Sequence, residues 1–269
     1  MLGGMAHLVN FQGTDTMSGI IGARRYYSSE MGADMAGFSI PASEHSTMTS
    51  WQREGEADAY SNMVKQFGGE GKIFAVVSDS YDIYNAVSNI WGKELKEQVK
   101  ASGATLVIRP DSGEPTEIVL EVMKRVYEAF GGYKNSKGYI VLDNSVRIIQ
   151  GDGVDKEAIR DILEILKNEG FSADNIAFGM GGGLLQAVGR DDFRFAMKAS
   201  AIRVDGEWRD VYKDPITDSG KRSKRGRLAL SCDFETFRVE ELEGENLLKP
   251  VFKNGKLLRD YSFDEVRGA

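Results

Sequence analysis

The 269-residue chain is 41% hydrophobic and 28% charged, which suits a globular protein built as one large α/β domain or a domain with an appendage. Its formal net charge of −7 argues against a general nucleic-acid binder. One cysteine excludes an internal disulfide and a cysteine zinc cluster, two histidines exclude a multi-histidine metal site, and no run is apolar enough for a membrane span or a signal segment, so a soluble cytoplasmic protein is expected.

In chain order, residues 1–6 carry neither a helix cap nor a clear strand pattern. Residues 7–11, His-Leu-Val-Asn-Phe, read as a strand, so the domain starts inside a strand, as a truncated one would. Turn and cap residues at 13–16 then open a helix to about Tyr27. Residues 36–40 read as a second strand, followed by Pro-Ala-Ser-Glu-His-Ser-Thr and a helix to about Phe67. Residues 73–77 form a third strand, closed by Ser78-Asp79-Ser80, with a helix running past Trp91. Residues 105–109 are a fourth strand; after it, Ile118, Val119, Val122, Val126 and Phe130 keep a 3.6-residue period that Gly131-Gly132 ends. Residues 146–149 are the fifth strand, a helix with Ile159, Ile162, Leu163 and Leu166 on one face follows, and residues 176–178 are the sixth.

Six strand-helix alternations predict parallel βαβ units, that is, an α/β fold. The polar turns all follow strands, so in a parallel barrel they gather at the C-terminal face. Six units are too few to close eight, and the fold expected is an incomplete (β/α) barrel-like sheet over residues 1–190, with an open doubly wound sheet as the alternative. Over 191–269 the pattern changes: a further strand within 195–204, a basic loop at 213–227, short antiparallel strands within 234–258 turning at Asn254-Gly255, and a docked helix near the end.

The chain is organised around residues 175–186, Asn-Ile-Ala-Phe-Gly-Met-Gly-Gly-Gly-Leu-Leu-Gln. A strand that empties through glycines into a helix start exposes backbone N–H groups without Cβ atoms in the way, which favours a phosphate. The spacing matches neither the dinucleotide fingerprint nor the P-loop, and a plain tight turn is the competing reading. Asp79, Asp111 and Asp152 follow strands closely and could hold Mg²⁺ through waters or accept from ribose hydroxyls; each could equally be a cap. His45, beside Glu44, Ser46 and Thr47, falls in such a turn and is favoured as functional, whereas His7 among apolar neighbours is read as structural. Arg109 and Arg147 lie in or beside buried strands, and each is expected to have an anionic or stacking partner. The basic run at 221–227 is read as a mobile loop that can fold over a polyphosphate.

The blocks HLVNFQGTDT, FSIPASEHST, VVSDSYDIYNAVSNIWG, IRPDSGEP, RIIQGDGVD, NIAFGMGGGLLQ, VYKDP, KRSKRGRL, VFKNGK and YSFDE resemble the nicotinamide phosphoribosyltransferase family, over residues 7–267. The resemblance implies a type II phosphoribosyltransferase fold with a small C-terminal β-rich appendage. It implies transfer of the phosphoribosyl group of phosphoribosyl pyrophosphate to nicotinamide, with Mg²⁺ and with ATP as co-substrate. His45 would be the histidine that ATP phosphorylates, supported by Glu44 and Asp79. Asp15 would accept from the nicotinamide amide, and its charge would repel nicotinate. Arg109 would contact the base; Asp111 would sit by the ribose and the magnesium pyrophosphate; Arg147, Gly151 and Asp152 would hold the ribose side; Gly181 and Gly182 would hold the 5′-phosphate. Arg190, Lys198 and Lys221 resemble the family's polyphosphate-binding residues, some of which cross a dimer interface. A homodimer or a complex with a separate N-terminal piece is therefore expected.

Three departures stand out. The family's N-terminal part, with an aromatic stacking on the base, an arginine and a partner-subunit tyrosine, is absent from these residues. Met180 replaces a serine in the glycine loop, and Ala196 replaces a serine near Lys198. The alternatives to the transferase are a non-catalytic fragment that binds phosphoribosyl ligands or dimerises, and a nicotinate phosphoribosyltransferase.

Overall fold

The computed structural model describes residues 1–27, 35–181, 183, 197–216 and 222–268. The chain divides into two units, one of residues 1–22 and 32–187, the other of residues 23–31 and 188–269.

The first unit is built on a parallel sheet. Strands β1 (Ile73–Val77), β2 (Thr105–Arg109), β5 (Val146–Gln150) and β6 (Ile176–Phe178) lie in the order β1-β2-β5-β6. All three pairings are parallel, with Val76 beside Ile108 and Ile108 beside Ile148. Beyond β1, isolated parallel bridges Ala42 to Ala75 and Gly13 to Phe38 continue the same direction through two short extended segments. Four of the six predicted strands therefore form this sheet, and the second, residues 36–40, takes part only through the single bridge at Phe38.

One face of the sheet is the core. Phe74, Val76, Leu106, Ile108, Val146 and Ile148 pack in one cluster with Ile118, Val119, Val122 and Val126 of α7 (Pro115–Phe130) and Ile162 and Leu166 of α8 (Lys156–Asn168). Each such fully buried side chain contributes roughly 1.5–3 kcal/mol by leaving water. The 3.6-residue period of α7 is what turns those residues to the sheet. Glu114 caps it, Pro115 opens it, and Gly131 ends it at φ 78°.

The structure corrects the sequence reading in two places and adds to it in two. Residues 7–11 are not a strand: α1 (Leu2–Asn10) is a helix that buries Gly4 and Leu8, one turn apart. A side chain at Gly19 would lie 2.9 Å from Gly4 C, so bare glycines let α1 pack on α2 (Met17–Tyr26). The helix expected to reach Phe67 is two, α3 (His45–Thr49) and α4 (Glu56–Phe67), separated by a turn with Gln52 at φ 61°. After Asp82, a short α5 (Ile83–Asn85) widens into a π-helix (Ala86–Glu94) before α6 (Lys96–Ala101). Within it Trp91 is fully buried, stacks on Tyr60 at 4.6 Å, and donates from Nε1 to Ser78 Oγ at 3.1 Å. Finally, an antiparallel hairpin, β3 (Gly132–Lys134) with β4 (Ile140–Leu142), precedes β5.

The second unit contains antiparallel pairs. These are β7 (Ala201–Val204) with β8 (Glu207–Asp210), β9 (Leu228–Leu230) with β10 (Thr236–Arg238), and β11 (Phe252–Lys253) with β12 (Lys256–Leu257). The expected Asn254-Gly255 turn joins the last pair, with both residues at positive φ, 51° and 76°. The expected terminal helix is Phe263–Arg267, opened by a Ser262/Glu265 capping box and anchored by buried Phe263 against Tyr27. No helix among the described residues is long and apolar enough to cross a membrane.

Candidate active site

Local hydrogen bonds explain how His45 reaches the end of β1. Residues 41–43 run alongside that strand: Ala75 N donates to Pro41 O at 2.8 Å, and Val77 N donates to buried Ser43 Oγ at 2.9 Å. Two residues later α3 begins. Glu44 caps it, accepting from Ser46 N at 2.8 Å and from Ser46 Oγ, and these bonds hold its carboxyl below the usual range. Glu44 therefore faces its own helix and acts on His45 by fixing where that helix starts.

His45 and Asp79 meet at the C-terminal ends of the strands, with His45 Nε2 2.8 Å from Asp79 Oδ1. Asp79 is nearly buried, its side chain 5% exposed, and its other oxygen accepts from Ser112 Oγ at 2.6 Å. On the opposite side of the ring, His45 Nδ1 lies 3.8 Å from Asp111 Oδ2. That oxygen also accepts from Arg109 Nη2 at 3.2 Å, while Arg109 Nε is buried without a partner among the described residues. The acid–base pair thus joins the ends of β1 and β2.

The rim continues across the sheet. The β5–β6 ladder extends past the strands through Gly179 N to Gln150 O, 2.8 Å. A Cβ at Gly151 would stand 3.8 Å from Asp111 Oδ1, and one at Gly179 would stand 3.4 Å from Gly151 Cα. Gln150, fully buried, donates from Nε2 to Asp152 O at 2.8 Å and so pins the turn that carries exposed Asp152. Gly181 has no positive φ, and a Cβ there would meet nothing within 4 Å. The fold itself therefore does not require glycine at 181; an approaching ligand would.

The remaining expected residues have other partners. Asp15 forms a separate pair, accepting from Ser39 Oγ on the neighbouring extended segment. His7, read as structural, holds the turn before Asp15 through Nε2 to Gly13 O at 3.0 Å. Arg147 departs from expectation: its guanidinium donates to the carbonyls of Leu142, Asp143 and Val146 and to Asn144 Oδ1, at the N-terminal end of β5. Backbone carbonyls, not an anion or an aromatic ring, satisfy it, and it is not brought to the His45 group. Lys198 is exposed in the second unit; Gly182, Arg190 and Lys221, with Ala196, lie outside the described residues. Sequence reasoning missed Ser112 and Gln150. Ser112, between Asp111 and Gly113, reads as an ordinary turn former, and a polar residue closing an apolar strand was the only signal for Gln150.

Among the described residues no three His, Cys, Asp or Glu are disposed to hold a metal. Asp111 Oδ2 is paired with Arg109 Nη2 at 3.2 Å.

A parallel α/β sheet whose polar and glycine-rich turns gather at the strands' carboxyl ends belongs to the class of α/β proteins with a rim site. Residues 2–256 match the model of the nicotinate phosphoribosyltransferase (NAPRTase) family, and the chain belongs to that family. It is similar to proteins named nicotinamide phosphoribosyltransferase. One from Xanthomonas campestris pv. campestris is 53% identical over 99% of this chain and 58% of the relative. One from Acinetobacter baylyi is 32% identical over 98% of this chain and 56% of the relative. One from Mycoplasma pneumoniae is 36% identical over 82% of this chain and 48% of the relative. The chain thus spans about half the length of the curated relatives it matches.

Proposed function

We propose that this chain carries the ATP-coupling and phosphoribosyl-binding part of a nicotinamide phosphoribosyltransferase of NAD salvage, acting in the cytoplasm. The reaction breaks the bond between the anomeric carbon and pyrophosphate, whose oxygen takes the electron pair; the nicotinamide ring nitrogen then bonds to that carbon, giving nicotinamide mononucleotide. Positive charge grows on the ribose, where Asp111 and Asp152 stabilise it, and negative charge grows on the leaving group, where basic residues of the family blocks, Arg190, Lys198 and Lys221, act. Gly181 and Gly182 seat the 5′-phosphate. Arg109 and Asp15 face the base, and the Asp15 carboxylate favours the amide over nicotinate. Magnesium, bound to pyrophosphate, supplies charge neutralisation there.

The observation that carries this reading is the geometry of His45. Nε2 is engaged by Asp79 at 2.8 Å, which leaves Nδ1 as the nucleophilic nitrogen, facing Asp111 and Arg109. Nδ1 attacks the γ-phosphorus of ATP, ADP leaves with the bond's electron pair, and hydrolysis of the P–N bond drives the cycle. A partner, either another copy of the chain or a separate N-terminal piece, packs against this unit. Exposed Leu2, Phe11, Met17 and Ile21 supply apolar surface for it. The same exposure favours one second reading, a fragment that binds phosphoribosyl ligands without turning them over.

The test is formation of nicotinamide mononucleotide from nicotinamide, phosphoribosyl pyrophosphate, Mg²⁺ and ATP, by the chain alone and with an N-terminal piece from a relative. Product is expected, and His45→Ala should abolish the ATP stimulation while sparing slow ATP-independent turnover. Equal loss of both activities removes the phosphohistidine role, and no product from folded protein in either mixture favours the binding fragment.

A further inference from the structure

We infer that Ser112 is a positioning residue for His45, acting through Asp79; the inference deepens the reading of His45 as phosphoryl acceptor and rests on it for its catalytic meaning. The backbone of Asp79 is fixed from behind. Ser78 N donates to Arg109 O at 3.0 Å, and buried Ser78 Oγ accepts from Trp91 at 3.1 Å. What remains free is rotation of the carboxylate about its own side-chain bonds.

Two donors from two different turns remove that freedom: His45 Nε2 on one oxygen at 2.8 Å, and Ser112 Oγ on the other at 2.6 Å. With Ser112 in place, Asp79 keeps one oxygen on Nε2 and holds the tautomer that keeps Nδ1 unprotonated. Without it the carboxylate can swing, the two tautomers mix, and part of the population carries a proton on the nitrogen that must attack. Ser112 is aimed by its own turn: Gly113 sits at φ 98°, which side chains rarely adopt, directly before the cap residue Glu114. The residue thus ties the β2 turn to the β1 turn.

The test is the imidazole ¹⁵N spectrum of the 269-residue chain, to which only His7 and His45 contribute. Signals lost in His45→Asn identify His45. The wild-type chain should show His45 predominantly as the Nε2–H tautomer, with a small Nδ1–H fraction. Ser112→Ala should raise the Nδ1–H tautomer severalfold, and Ser112→Thr, which keeps the hydroxyl, should restore the wild-type pattern. Ser112 is solvent-exposed, so an unchanged thermal midpoint is expected to accompany these changes. Identical spectra for wild type and Ser112→Ala overturn the inference, as does Ser112→Thr behaving like alanine. Labelling of His45 from γ-³²P-ATP is scored separately: a tautomer shift without label supports the positioning while removing the phosphoryl reading.

Discussion

Arg109 and Arg147 stand on adjacent strands of one sheet, yet they belong to opposite ends with opposite logic. At the N-terminal end of β5, Arg147 is satisfied by three carbonyls and an amide oxygen, and Asp143 nearby accepts from Ser145 and lies 3.5 Å from Lys100. At the C-terminal end, Arg109 keeps a buried Nε without a partner among the described residues, His45 Nδ1 stands 3.8 Å from Asp111 Oδ2, beyond hydrogen-bond distance, and Gly181 opens onto space. Saturated polar groups hold a loop together; aimed but unsaturated ones hold room for a ligand.

The sharpest way to break this contrast is to remove each arginine. Arg147→Leu should lower unfolding free energy by about 2–3 kcal/mol, since several charge-assisted hydrogen bonds vanish together, and leave phosphoribosyl pyrophosphate binding unchanged. Arg109→Leu should leave stability within about 0.5 kcal/mol and abolish binding of the base. Equal losses of stability in urea titrations would erase the difference between the two ends.

A pair of glycines sharpens the same point. Gly131, at φ 78° behind the sheet, is held by its backbone, so Gly131→Ala should cost about 1–3 kcal/mol of stability. Gly181→Ala should cost less than about 0.5 kcal/mol. It should nevertheless weaken phosphate-bearing ligands about tenfold, or about 1.4 kcal/mol by calorimetry.

The smallest effect is in acid. At Asp143 burial pushes the carboxyl up, but the bonds from Ser145 and Lys100 outweigh it and hold the group below its ordinary 3.8. A depressed folded value means that its stabilisation is present above the ordinary value and is lost as pH falls through the folded one. Asp143→Asn should flatten that acid branch by less than about 1 kcal/mol, because the side chain is partly exposed and screened. Thermal midpoints from pH 2 to pH 6 measure it.

Which parts of this were legible in the sequence follows the same division. Strands β1, β2, β5 and β6 were readable because short apolar runs stood between polar turns, and α7 and α8 because their apolar positions repeat at 3.6. Residues 7–11 misled because a five-residue stretch with alternating character cannot reveal the Gly4–Gly19 approach that makes it a helix. The His45–Asp79 pair could be suspected, since both follow strands, but its geometry depends on Ser43 holding the chain against β1, a contact between residues 34 positions apart. Arg147 was misplaced because strand position gives the face of a residue and not which way a long side chain folds back. Ser112 was hidden for a different reason: its partner Asp79 comes from another turn, and turn chemistry alone accounts for a serine before glycine.

The burial of Trp91 has an optical consequence. The chain has three tryptophans; Trp51 and Trp208 are about half exposed, whereas Trp91 is sealed against Tyr60 with its N–H on Ser78, the residue before Asp79. Replacing Trp51 and Trp208 by phenylalanine would leave a single blue-shifted emitter wired to the backbone of the histidine's carboxylate partner. Its intensity and lifetime would then report, without any added label, each time the charge or position of that carboxylate changes.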